Sequence, residues 1–193
     1  MGGRADLNDG FLGSVSVMDY IGRKGRDAAR ANSLRFGGIR AGIKEVGRRQ
    51  EGEAAPPLEL IPTDHEFYGR VGATGLPPAV TMLTWNRFFD EAEPVHALVA
   101  ESDGKLVGLV HYLFHRSTTS ITPICYLQDL FTCHDARGRG VGSALIASVM
   151  NQARLADSHR VYWQTHEANS VARRLYDRIA ERSGFLIYRL AVE

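Results

Sequence analysis

Three glycines in five residues, Gly138, Gly140 and Gly142, stand between a run that reads as a strand, Ile124–Thr132, and a helix from about Val141 to Leu155. No other stretch restricts the fold of this chain so tightly. Glycine lets the backbone enter conformations closed to other residues and approach a ligand closely. The helix that starts there offers unbonded N–H groups and the positive end of its dipole to an anion such as a pyrophosphate. Arg137 and Arg139 add charge at the same place. A plain strand-to-helix turn also uses glycine, so the feature alone leaves a purely structural turn open beside anion binding. The dinucleotide fingerprint G-x-G-x-x-G fits poorly, because Ser143 stands where its third glycine belongs, and G-x-x-x-x-G-K-[ST] is absent.

The elements around this turn follow from periodicity. Pro77-Pro78 opens a helix through about Phe89, with Val80, Leu83, Trp85, Phe88 and Phe89 on its apolar side. Val95–Glu101 and Leu106–His115 are strands joined through Asp103-Gly104, a strong hairpin signal. The helix after the glycines carries the stripe Val141, Leu145, Val149 and Ala153. A strand at Arg160–Thr165, a helix from about Ser170 to Arg182, a left-handed cap at Gly184 and a last strand at Phe185–Val192 complete the pattern. Antiparallel strands followed by strand-helix-strand-helix-strand predict a mixed α/β sheet with flanking helices.

Residues 1–55 differ from the rest. Eleven of the twenty glycines lie in residues 1–52, and residues 1–50 hold ten Lys or Arg against five Asp or Glu, a balance of +5 that leaves −4 elsewhere. Ser14–Met18 and Ile39–Val46 are short candidate elements there, and Leu58–Ile61 is a candidate strand beyond the Pro56-Pro57 linker. The segment reads as a mobile extension, an unusual first strand and helix, or a start translated from a shifted frame, and residues 56–193 as the functional domain. Its scattered arginines and few aromatics make nucleic acid an unexpected partner. No run approaches the roughly 18 apolar residues of a membrane span, so no membrane partner is expected and the expected location is cytoplasmic. Cys125 and Cys133 are expected to be reduced. His111 and His115, on one strand face about 13 Å apart at 3.3 Å per residue, are too far apart to share a metal ion.

Arg137-x-x-Gly140-x-Gly142 resembles the R/Q-x-x-G-x-G/A pyrophosphate loop of the GNAT superfamily of acyl-CoA-dependent N-acyltransferases. Asn169-Ser-Val-Ala172-Arg-Arg-Leu175-Tyr176 is similar to its N-x-x-A-x-x-L-Y helix, and Gly184-Phe185 to its following G-F. The stretches 126–131 and 161–169 look most like the branch of histone, polyamine and D-amino-acid acetyltransferases. Two departures stand out. Such proteins usually carry a first strand and a helical arm before the Pro-Pro helix, where this chain has only Leu58–Ala73 unless its head supplies them. Eight positions separate Tyr176 from Gly184 where about four are common, which predicts an added turn of helix after the tyrosine.

The resemblance implies a GNAT-like, mostly antiparallel sheet with a splayed strand pair, and transfer of an acetyl group from acetyl-CoA to a primary amine, without a metal. Backbone groups of Leu130, Phe131 and Thr132 would pair with pantetheine amides. N–H groups from Gly138 through Arg139, Gly140, Val141, Gly142 and Ser143, with Arg137, would hold the pyrophosphate, and Asn169 would be helix cap, cofactor contact or both. Tyr176 matches the acid that protonates the departing thiolate; its apolar stripe with Ala172, Leu175 and Ile179 also suits a core role. Strand alternation points Asp129 with Phe131 toward the acyl site, as a base or a holder of a cationic acceptor, with Glu167 its competitor. Each also suits a solvated or capping acid. A small cationic amine or basic peptide is the expected acceptor. The rival readings are an acyl-CoA-sensing module without turnover and a protein acetyltransferase tethered to nucleic acid by the basic head. Acetyl-cysteine formation on Cys125 or Cys133 is a lesser alternative. The strand Phe185–Val192 suits a sheet edge, and members of that branch tend to be oligomeric, so a homodimer is expected.

Overall fold

In a computed structural model of the chain, residues 33–36, 39–46 and 77–192 are described, with side chains from residue 42 onward. The candidate elements at 14–18 and 58–61 and the linker at 51–57 lie outside the described residues. Six strands form one sheet in chain order. Neighbours among β1 (Ser33–Phe36), β2 (Ile39–Glu45), β3 (Val95–Ser102), β4 (Lys105–Ser117) and β5 (Ser120–Thr132) are antiparallel, and β6 (Val161–Tyr162) runs parallel to β5. Strand β2 pairs with β3 from Ala41↔Ser102 to Glu45↔Leu98, so the glycine-rich head supplies sheet strands.

The β3–β4 hairpin closes as its sequence predicts. Asp103 and Gly104 take φ of +49° and +75°, two left-handed residues whose twist matches that of the paired strands. The β4–β5 hairpin carries no such signal. It turns through Thr118 and Thr119, where the Thr119 N–H donates to Ser117 Oγ at 3.2 Å, and β5 therefore begins at Ser120, before the expected Ile124. A hydroxyl in a short turn replaces the glycine that marks the first hairpin.

Among the described residues, helices α1 (Pro78–Arg87) and α2 (Val141–Leu155) belong to the same unit as this sheet. Helix α2 buries Val141, Ala144, Leu145, Ile146, Val149 and Ala153. Gly108 of β4 admits it: a Cβ there would lie 2.8 Å from Val141 Cγ1 and 3.1 Å from the Phe131 carbonyl oxygen. A second cluster holds Phe88, just past α1, with Val46, Ala97 and Val99, and Trp85, Phe89 and Leu109 pack against it. Val80 and Leu83, expected on the apolar side of α1, are instead exposed, because the helix packs through its C-terminal end.

The second unit, Trp163–Glu193, contains α3 (Ser170–Ile179) and corrects three expectations. The helix ends three residues after Tyr176, so the longer spacing to Gly184 adds no helical turn; Ala180 is already extended at φ −146°. Gly184 is left-handed at φ +78°, yet it lies beyond the helix end and does not cap it. Residues 185–192 form no strand, and Phe185, Tyr188 and Leu190 are about nine-tenths exposed. Apolar alternation marks a strand's faces but does not supply the partner that its N–H and C=O groups require.

Candidate active site

The first unit gathers Asp129, Leu130–Thr132 and the glycine turn at the end of β5. His111 pairs with Asp129 but Tyr112 pairs with Leu127, so Gln128 is an extra residue in β5, a bulge that re-aims its neighbours. Past the bulge, Asp129 and Phe131 lie opposite His111 and Leu109 on the face that Phe88 covers, and Leu130 lies opposite Val110 on the other. Strand β6 meets β5 only at Cys125 and Tyr126, and β5 continues from Leu127 to Thr132 beyond these pairs. Along that stretch β5 has no partner strand on its β6 side among the described residues.

The turn after β5 is held at both ends. Arg137 Nε donates to the Thr132 carbonyl at 3.2 Å, and buried Ala136 anchors the single turn of 3₁₀ helix His134–Ala136. Gly138 and Gly140 are left-handed, with φ of +72° and +86°; Gly142 lies in the first turn of α2 and has no positive φ. Two of the three glycines are therefore required by backbone conformation. Gly140 is the N-cap of α2 and has no side chain to cap it. The first backbone bond of the helix runs from Ala144 N–H to the Gly140 carbonyl at 3.0 Å, so the N–H groups of Val141, Gly142 and Ser143 precede it. With the exposed guanidinium groups of Arg137 and Arg139, this end of the helix fits a pyrophosphate.

Asp129 has a partner that the sequence did not disclose. His111 Nδ1 lies 3.1 Å from Asp129 Oδ2; the imidazole is almost wholly buried, and the Asp129 side chain is 42% exposed. The ring of Phe88 packs against His111 at 5.0 Å between centroids, tilted by 35°. His115 does not share this contact. Its Nδ1 donates to the Arg116 carbonyl at 2.8 Å, and its Nε2 accepts from the Tyr162 hydroxyl at 3.0 Å.

In the second unit, Asn169 caps α3: its side-chain oxygen accepts from Ala172 N–H at 3.3 Å, and its Nδ2 donates to Thr165 Oγ1 at 3.2 Å. Tyr176 is half-buried with its ring edge-on to Trp163 at 5.3 Å. Glu167 does not end a strand as expected, because β6 stops at Tyr162; it sits exposed in the turn before α3, where its carbonyl accepts from Arg173 Nη1 at 2.6 Å.

Other reactive groups are poorly suited to chemistry. Burial pushes the Cys125 thiol up to about 11, which keeps it protonated, and Cys133 Sγ contacts the Leu106 carbonyl at 3.6 Å. Burial also raises the Tyr112 phenol well above its ordinary range, with Glu45 and Cys125 adding to the effect. Among the described residues, no three of His, Cys, Asp or Glu are grouped to hold a metal ion, and no helix is long and apolar enough to cross a membrane.

The sequence profile of the acetyltransferase (GNAT) family matches residues 63–180. The D-amino-acid N-acetyltransferase HPA3 of Saccharomyces cerevisiae is 31% identical over 118 residues, which cover 60% of this chain and 73% of that protein. The uncharacterized N-acetyltransferase YhfO of Bacillus subtilis is 32% identical over 97 residues, 49% of this chain and 65% of its own length. The structure of AAC(6')-Iy in complex with a CoA-containing bisubstrate analogue superposes with a TM-score of 0.59 at 16% identity, covering 79% of this chain and 98% of that one.

Proposed function

Because the chain belongs to the GNAT acetyltransferase family, we propose that it transfers the acetyl group of acetyl-CoA directly to a small primary amine within a ternary complex. The observation that carries this reading is the turn at 138–143, where left-handed Gly138 and Gly140 open onto the N–H groups of Val141, Gly142 and Ser143 beside the stretch of β5 that β6 does not reach. These groups, with Arg137 and Arg139, bind the pyrophosphate; Leu130–Thr132 bind the pantetheine, and Asn169 adds a cofactor contact beside its capping role. Acetyl-CoA supplies the thioester. Asp129 takes a proton from the ammonium form of the acceptor, directly or through water, and the freed amine attacks the thioester carbonyl. As the new C–N bond forms and the C–S bond breaks, Tyr176 gives its phenolic proton to the thiolate and regains one from the amide nitrogen. Asp129 is preferred to Glu167 as base because it shares a strand face with Phe131 beside the loop, whereas Glu167 lies in an exposed turn.

The acceptor class follows the D-amino acids in the name of HPA3 and the aminoglycoside portion of the AAC(6')-Iy analogue. The test is thiol release from acetyl-CoA over D-lysine and other D-amino acids, spermidine, aminoglycosides and basic peptides. Turnover with a small amine is expected; acetyl-CoA binding with no release from any member would replace the enzyme reading with a sensing one. The exposed apolar side chains of residues 185–192 support a homodimer as the working form. Light scattering at working concentration is expected to give the dimer mass, and a monomer mass would refute it.

A further inference from the structure

We infer that His111 is a positioning residue for the transfer, fixing the carboxylate of Asp129 through a part-buried Nδ1–H···Oδ2 hydrogen bond. The inference rests on the reading of Asp129 as the base. An ionised carboxylate only accepts hydrogen bonds, so at 3.1 Å the hydrogen lies on His111 Nδ1. The imidazole cannot swing away. It is 7% exposed, sits mid-strand opposite Ala97 on one side and Asp129 on the other, and is covered by the tilted ring of Phe88 at 5.0 Å. Asp129, by contrast, lies next to a bulge on a strand with no parallel partner at that point, and nearly half of its side chain is open. A carboxylate so placed explores several rotamers unless one oxygen is tied down. His111 ties Oδ2 and leaves Oδ1 to receive the proton of the acceptor. The imidazole exchanges no proton with the substrate.

Two substitutions separate this role from packing. His111→Phe keeps a ring beneath Phe88 but removes the donor, whereas His111→Asn sets an amide N–H near the position of Nδ1 and removes the ring. With acetyl-CoA and D-lysine, or spermidine if only polyamines turn over, His111→Phe is expected to lower kcat about tenfold with acetyl-CoA affinity unchanged. His111→Asn is expected to retain most of kcat while melting at a lower temperature. Asp129→Asn is expected to lower kcat about 10²-fold, the low end for a general base. Adding His111→Phe to Asp129→Asn should then cost nothing further, because His111 acts only through Asp129.

If Asp129→Asn turns over normally, the base reading fails and this inference falls with it. If Asp129→Asn is crippled while His111→Phe is fully active, or while both His111 variants are equally slow, His111 is a packing residue only. A further loss in the double variant overturns the inference as well. Should His111→Phe fail to fold, or no amine turn over, long-range ¹H–¹⁵N spectra decide: an Nδ1–H tautomer in the wild-type protein that is lost in Asp129→Leu, which removes the acceptor, supports the pair, and an Nε2–H tautomer, or an Nδ1–H tautomer unchanged in that variant, refutes it.

Discussion

Gly140→Val is expected to abolish measurable acetyl-CoA binding, at least about 10³-fold in affinity, in a protein that remains folded. Gly140 stands at φ +86° and ψ 0° as the N-cap of α2. A left-handed backbone costs an ordinary L-residue roughly 1–2 kcal/mol, and β-branched valine is among the least tolerant. Turning the residue to a negative φ relieves that strain but reorients the peptide planes leading into Val141 and Gly142. The N–H groups then no longer converge, and the branched side chain enters the space proposed for the phosphates. The fold should survive, because α2 is held by Val141, Leu145, Ile146 and Val149, each 2% exposed or less, and not by a side-chain cap. Calorimetry with acetyl-CoA and a thermal melt give both readouts. Unchanged affinity would remove the loop assignment.

Tyr176→Phe is expected to lower the single-turnover rate by about 10²-fold or more, with acetyl-CoA affinity and melting temperature little changed. The substitution retains the ring that meets Trp163 edge-on at 5.3 Å and removes only the hydroxyl. A phenol of pKa about 10 holds its proton more tightly than a thiol of pKa about 8.5, so it protonates the leaving thiolate only when positioned against it. A packing role predicts a different outcome, in which the rate survives and stability falls by about 1 kcal/mol at most for a lost hydrogen bond. Single-turnover conditions with a verified acceptor keep product release out of the comparison. A near-normal rate would leave thiolate protonation to water or another group.

The parts of this protein that were legible from sequence are those governed by neighbours along the chain. Periodicity placed α2 at about Val141 to Leu155, Asp103-Gly104 announced its hairpin because both positions need a positive φ, and the glycines at 138 and 140 marked a left-handed turn into the helix. Asn169 likewise revealed its capping role, since the bond to Ala172 N–H spans three residues. What only the tertiary structure decided depends on pairing between distant segments. Sequence did not disclose that the head would pair β2 with β3, that Thr118-Thr119 would turn a hairpin, or that residues 185–192 would remain outside the sheet. Nor did it disclose the bulge at Gln128, which sets Asp129 opposite His111 across two strands. A backbone's preference for a turn or a helix is set by local sterics and hydrogen bonds, whereas register is set by which long-range pairing buries the most apolar surface, and a slip of one residue reverses every side chain. The glycines therefore marked the strand-to-helix turn from sequence alone, and only the register of β4 against β5 could set His111 beside Asp129.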